Sequence, residues 1–217
     1  MATFVQTNVG LLYGGYDLSS TVFNAIGLSM GSDAVDDTVY GDTFVSNTPG
    51  LSSVTLEGEG YWSSTEDAAL FSSLGTDDTV VTVTPVDQAA GSPALFCKLT
   101  ASEYNPITGS IGEMAAFKLT GEGRGEKAVS GEILVVPATY TSSSESATNA
   151  SIGAVSATQS VYSALHVTAA SGTLDVIVES APSNWSSEST EITHTQFTGI
   201  GAEMKSKAGV NTDAYWR

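Results

Sequence analysis

Apolar and polar side chains alternate between Leu51 and Trp62. Val54, Leu56 and Trp62 share one face; Ser53, Thr55, Glu57 and Glu59 share the other. This pattern predicts a half-buried antiparallel strand with an acidic outer face. Gly58 and Gly60 thin its inner face and mark a site for a bulge. Further strands are predicted over 2–8, 16–30, 79–85, 93–104, 113–121, 128–136, 161–168, 173–180 and 190–198. Gly14-Gly15 and Asn105-Pro106-Ile107-Thr108-Gly109 read as turns.

One segment reads as a helix, over 65–74. Ser64 or Thr65 caps it, Glu66 and Asp67 suit its N-terminal dipole, and Gly75 stops it. Leu70, Phe71 and Leu74 form an apolar stripe expected to meet the core. The stretch from Gly31 to Gly50 is polar, carries Asp33, Asp36, Asp37 and Asp42, and ends on the turn signal Asn47-Thr48-Pro49-Gly50. It reads as a loop too long for a hairpin, and loops of that length are usually functional.

Residues 138–160 change character to Ser, Thr, Ala and Asn, as a loop or weak edge region. The division this suggests is a β domain over 1–137. Residues 138–217 then form either extra strands or a small second β module. The expected fold class is all-β, a sandwich or tube-type barrel, with one short flanking helix near 65–74.

Charge sharpens the picture. Acidic residues number 24 and basic residues 7, for a net charge of −17, while charged residues in total are only 14%. The depletion is in bases: none precedes Lys98, whereas twelve Asp or Glu do. Such a surface repels nucleic acid and anionic membrane, so neither is expected as a specific partner. The first ten residues carry no charged segment and no long apolar run, so no signal peptide or membrane span is expected. The sequons at Asn149 and Asn184 then carry no weight, and synthesis in a cytoplasm is expected.

Chemistry is hard to find along the chain. Cys97, the single cysteine, sits in the apolar run Ala94-Leu95-Phe96-Cys97 and reads as a buried inert thiol. His166 and His194 lie in strand-like segments with no ligand partner at a metal spacing. Asp36-Asp37 and Asp77-Asp78 read as solvated turns rather than calcium loops. Gly121-Glu122-Gly123-Arg124-Gly125 lacks the ending of a phosphate loop and reads as a mobile hairpin tip. Glu57 and Glu59 read as a solvent face rather than a glycosidase pair. Trp62, Trp185 and Trp216 are scattered, which favours packing over a sugar platform. No catalytic residues, metal or cofactor are expected, and the chain reads as non-enzymatic.

Tyr16-Asp17-Leu18-Ser19-Ser20, Asp36-Asp37-Thr38, Gly41-Asp42-Thr43, Pro49-Gly50-Leu51, Tyr104-Asn105-Pro106 and Gly112-Glu113-Met114-Ala115 stand in this order along the chain. Together they resemble the major tail (tail tube) proteins of long-tailed bacteriophages. The resemblance covers roughly residues 10–135. It implies a structural virion protein made in the host cytoplasm. Its copies form rings, usually sixfold, stacked into a tube around a DNA channel. Tape measure and terminator proteins are the implied neighbours. It also implies an assembly loop, carrying Asp36, Asp37, Tyr40, Asp42, Phe44, Asn47 and Pro49, that reaches the next ring. With few apolar anchors, that loop is expected to order only on assembly. A channel that conducts DNA without gripping it suits an acidic lining, for which Glu57 and Glu59 are the candidates. The alternatives are a capsid decoration or head-fibre protein, or a carbohydrate-binding β-sandwich.

Overall fold

A computed structural model of the chain describes residues 8–19, 23–144, 149–182, 185 and 187–217. The fold is all-β with one short helix, and the described sheets are open and antiparallel rather than closed into a barrel. Two compact units share the chain. One contains 1–22, 79–97 and 129–217; the other contains 23–78 and 98–128. They interleave in sequence and so do not coincide with a division at 137/138.

The second unit is built from β3 (Phe23–Asp36), β4 (Asn47–Tyr61), α1 (Ser64–Ser73), β7 (Ala116–Gly123) and the latter part of β6 (Pro93–Thr108). Its strands pair in the order β3-β4-β7-β6. Val54 and Leu56 point to the core side, where Leu99, Ala101, Tyr104, Phe117 and Leu119 are also buried. The Tyr104 hydroxyl donates to Asp67 at 2.6 Å and fixes α1 to this side. The alternation read from the sequence therefore holds, with Gly58 and Gly60 completing the buried face. The expected bulge lies instead in the partner: β4 pairs with β7 without interruption, while the register shift falls between Phe23 and Ala25 of β3.

Helix and loop differ from expectation in detail. Ser63 occupies the N-cap and its hydroxyl meets Glu66, so the helix starts one residue early. Leu70 is buried, but Phe71 is 66% exposed and Leu74 also faces solvent, so the apolar stripe is only partly core. Trp62, expected in the core, lies just beyond β4 and is exposed. The segment 31–50 is not a loop throughout. β3 continues to Asp36 and β4 begins at Asn47, so half of it is a ladder, with its tip at 37–46.

The first unit contains β1 (Gly10–Tyr13), β2 (Tyr16–Asp17), β5 (Thr79–Thr84), the start of β6, β8 (Val129–Glu132), β9 (Ser160–Val167), β10 (Ile177–Ala181), β11 (Ser189–Thr193), β12 (Gly201–Ala208) and β13 (Tyr215–Trp216). Gly14-Gly15 forms the tight turn between β1 and β2, both residues at positive φ. A Cβ on Gly15 would meet the Gly201 backbone at 2.6 Å, so this turn needs glycine. The strand expected over 2–8 falls outside the described residues, apart from Asn8, which is not in a strand.

Two hydrophobic clusters hold this unit. Val80, Phe96 and Met204 form one; Ala150, Val155, Val178, Ile192 and Trp216 form the other. Residues 138–160 therefore contribute Ala150 and Val155 to a core rather than forming only a loop.

Candidate functional site

Antiparallel pairing sets opposite residues on one side of a sheet. Glu57 pairs with Thr120, Glu59 with Lys118, Thr55 with Glu122, and Thr120 with Glu103. One side of β4, β7 and β6 therefore carries Glu57, Glu59, Glu103 and Glu122, against Lys118 at its centre. On β3 the same side presents Ala25, Gly27 and Ser29, opposite Glu59, Glu57 and Thr55. The result is a smooth polar surface with little for a ligand to grip.

Its cation is neutralised locally. Lys118 Nζ lies 2.5 Å from Glu59 Oε1, and that contact raises the lysine pKa. Thr55 donates its hydroxyl to Glu122 at 3.1 Å, and Asn105 donates to Glu103 at 2.7 Å. At the end of β7, Arg124 reaches Asp77 at 2.8 Å and Asp78 at 3.5 Å. The glycine-rich run is thus partly strand and partly an anchored turn, and the Asp77-Asp78 pair is bound rather than merely solvated. Lys98, two residues before Thr100 on β6, is the other cation of this side.

The second feature is the β3–β4 ribbon. β7 accompanies β4 over Thr55–Tyr61, so among the described residues Asn47–Val54 pairs with β3 alone. Every residue from Ser29 to Ser53 is exposed except the half-buried Gly50. The tip is held by its own polar groups: Asp36 accepts from the Thr38 N–H, Asp37 meets the Thr48 hydroxyl, and Asp42 accepts from the Val39 N–H. These contacts hold the Asp36 and Asp37 carboxyls below their ordinary range. Apolar side chains stand outward beside them. Tyr40 is 108% exposed and Phe44 85%, and Met30, Val35, Val39, Val45 and Leu51 are also exposed. None of these side chains is buried, so none anchors the segment within the subunit. Asn47 and Pro49 sit in the ladder opposite Asp36 and Ala34.

Elsewhere the structure assembles one constellation that the sequence hides. His194 Nδ1 lies 3.0 Å from Glu203 Oε2, and His194 Nε2 lies 3.0 Å from Ser163 Oγ. Glu203 also accepts from the Thr195 N–H at 2.7 Å. Burial works against the Glu203 carboxylate, but the Thr195 and His194 hydrogen bonds and Lys205 outweigh it and bring its pKa to about 2. Burial holds His194 below its ordinary value despite the neighbouring Glu203 carboxylate. This is the connectivity of nucleophile, base and orienting carboxylate. However, Ser163 is a mid-strand residue paired with Lys205, and the His194 ring beside it is itself only 4% exposed. We read the chain as a tie joining β9, β12 and the segment after β11. The β9–β12 pairing brings Ser163 and Glu203 near each other, which spacing in sequence does not reveal.

Cys97 is buried and desolvation pushes its thiol up to about 11, in keeping with an inert core residue. Among the described residues no three His, Cys, Asp or Glu side chains converge as a metal site. Trp216 is buried, and Arg217 lies 4.3 Å over the Trp185 ring, so neither offers a free sugar platform.

No family model matches the chain, and no curated protein matches its sequence. Solved structures do show similarity, to components of tails and injection devices. A chain of the virion of a native gene transfer agent particle is 16% identical at a TM-score of 0.41, covering 54% of this chain and 92% of that one. A chain of the sheath/tube terminator of the extracellular contractile injection system PVC, in its extended state, is 13% identical at 0.47, covering 60% and 98%. A chain of the anti-feeding prophage baseplate is 9% identical at 0.38, covering 62% and 100%.

Proposed function

We propose that this protein is a structural, non-enzymatic component of a phage-type tail, whose copies associate into stacked rings around a DNA channel. The observation that carries this reading is the β3–β4 ribbon. A two-stranded ribbon without a third strand or a covering layer is marginal in water, and this one holds tyrosine, phenylalanine and several aliphatic side chains outward. Such a surface is suited to burial against another subunit. The acidic face of β4, β7 and β6 supports the channel. A wall that passes a polyanion without retaining it is best polar, smooth and poor in free cations. Glu57 and Glu59 are the proposed lumen residues, and residues 36–50 the proposed inter-subunit element. Sixfold symmetry, tape measure and terminator neighbours and a place in the virion are what the sequence resemblance implies.

Sedimentation of the purified chain over a concentration series, with negative-stain images of each fraction, tests the reading. Rings or tubes are the expected products. Compact trimers would favour a capsid decoration protein, and monomers at every concentration would overturn the proposal. Replacing residues 37–46 by Asn-Gly should leave a folded subunit that no longer stacks.

A further inference from the structure

The second unit is two-ended. In β4 and β7, Tyr61 pairs with Ala116 and Thr55 with Glu122. The β6–β7 loop, just before Ala116, therefore lies at the Tyr61 end. The β3–β4 tip, just before Asn47, lies at the other. The Trp62 N–H donates to the Ala115 carbonyl at 2.8 Å, which pins Trp62 beside that loop. Ile107, Ile111 and Met114 are exposed there together with Trp62, Ile111 at 109%. One sheet thus carries outward apolar groups at both ends of its strands.

We infer that the arm tip, through Tyr40 and Phe44, seats on the Trp62, Ile107, Ile111 and Met114 end of a second copy. This rests on the stacked-assembly reading above and names the surface that receives the arm.

Three observations select that occupant. First, a donor at one end and an acceptor at the other make a heterologous contact, which can repeat from copy to copy as stacking requires. A tip-to-tip contact would close after two copies and leave the Ile111 end bare. Second, charge opposes tip-to-tip contact. The tip region carries Asp33, Asp36, Asp37 and Asp42 with no base, whereas the 109–115 loop carries only Glu113. Third, the sizes agree. Two aromatic side chains offer roughly 150–250 Å² each. With Val39 and Val45 beside them, they approach half of the ~800 Å² that each partner brings to a stable interface. The ribbon beyond β7, Asn47–Val54, extends about 26 Å at ~3.3 Å per residue, enough to bring further surface into contact. Trp and Met are also the residue types that interface cores favour.

Cysteine cross-linking tests this directly, because Cys97 is buried and the chain has no other thiol. Phe44→Cys and Ile111→Cys subunits are prepared separately, mixed under assembling conditions and oxidised. Disulfide-linked dimers in the mixture, but in neither variant alone, are expected. Phe44→Cys subunits linking to themselves, or no links while wild-type protein forms tubes, would overturn the seat and leave the stacking reading intact. Wild-type protein that never assembles would overturn both. As a second measurement, Ile111→Asp should raise the concentration needed for assembly about tenfold or more with unchanged circular dichroism. Unchanged assembly of Ile111→Asp would count against the seat.

Discussion

Reversing the charge of Glu57 and Glu59 isolates the acidic face from the rest of the protein. Glu57→Lys with Glu59→Lys leaves Glu103 and Glu122 against Lys118 and two new ammonium groups, so the centre of the face changes from net negative to net positive. The subunit cost is small. The Lys118–Glu59 pair is about half exposed on both sides, and such pairs contribute ~0–1 kcal/mol. Setting like charges opposite each other on β4 and β7 costs a similar amount. About 1 kcal/mol of destabilisation leaves most of a typical ~5–15 kcal/mol stability in place, so folding and assembly should survive. The gain in DNA affinity is much larger. Each phosphate contact adds ~0.9 to the slope of log affinity against log salt. Two contacts per subunit therefore give a slope of about 1.8, or roughly a tenfold loss of binding per engaged subunit between 50 and 200 mM salt. Fluorescence anisotropy of a short duplex titrated with assembled protein at both salts measures this. Virions carrying the variant should also eject DNA more slowly, most visibly at low salt. A double variant that binds no tighter than wild type, or whose binding is indifferent to salt, would refute the acidic-channel role of this face.

Three further predictions concern the fold. The His166 Nε2 is 2.9 Å from the Thr82 hydroxyl while its Nδ1 is buried without a partner, and burial holds its pKa near 4. The unfolded chain therefore takes up a proton between about pH 6.5 and 4 that the folded chain refuses. Stability should fall by about 3 kcal/mol as pH drops through that window; urea melts of His166→Gln should lack this slope, and an unchanged slope would refute the assignment. Ser163→Ala leaves the His194 Nε2 unpaired and should cost ~1–3 kcal/mol in the same melts, while a fluorophosphonate probe should leave wild-type Ser163 unlabelled; labelling there would show a nucleophile instead of a tie. Trp216→Ala empties the centre of the cluster formed with Ala150, Val155, Val178 and Ile192, and calorimetry should show a loss of ~3–5 kcal/mol.

What was legible in the sequence depended on whether a local period carried it. The β4 faces were readable because alternation survives without knowledge of the partner strand: Val54 and Leu56 go inward, Glu57 and Glu59 outward. The ribbon looks like a loop in sequence because its apolar residues are exposed rather than packed against the described residues. Without a buried face, Gly31–Gly50 has no period, and its four aspartates look like loop chemistry. β12 is hidden for a related reason: Met204 is buried in a core and Ala202 packs at its edge, but Glu203, Lys205 and Lys207 give the segment a polar character. Phe71 and Trp62 lie outside the core although the sequence points them inward, because an exposed aromatic and a buried one look the same in sequence. The Ser163–His194–Glu203 chain depends on β9 pairing with β12, across about forty residues, and has no local signal at all.

Cryo-electron microscopy of the assembled protein tests the central claim most directly. The expected result is a hollow tube of stacked rings, with Glu57 and Glu59 facing the channel and each β3–β4 ribbon resting on the next ring. A closed, compact oligomer, or a tube with those two glutamates on its outer wall, would contradict it.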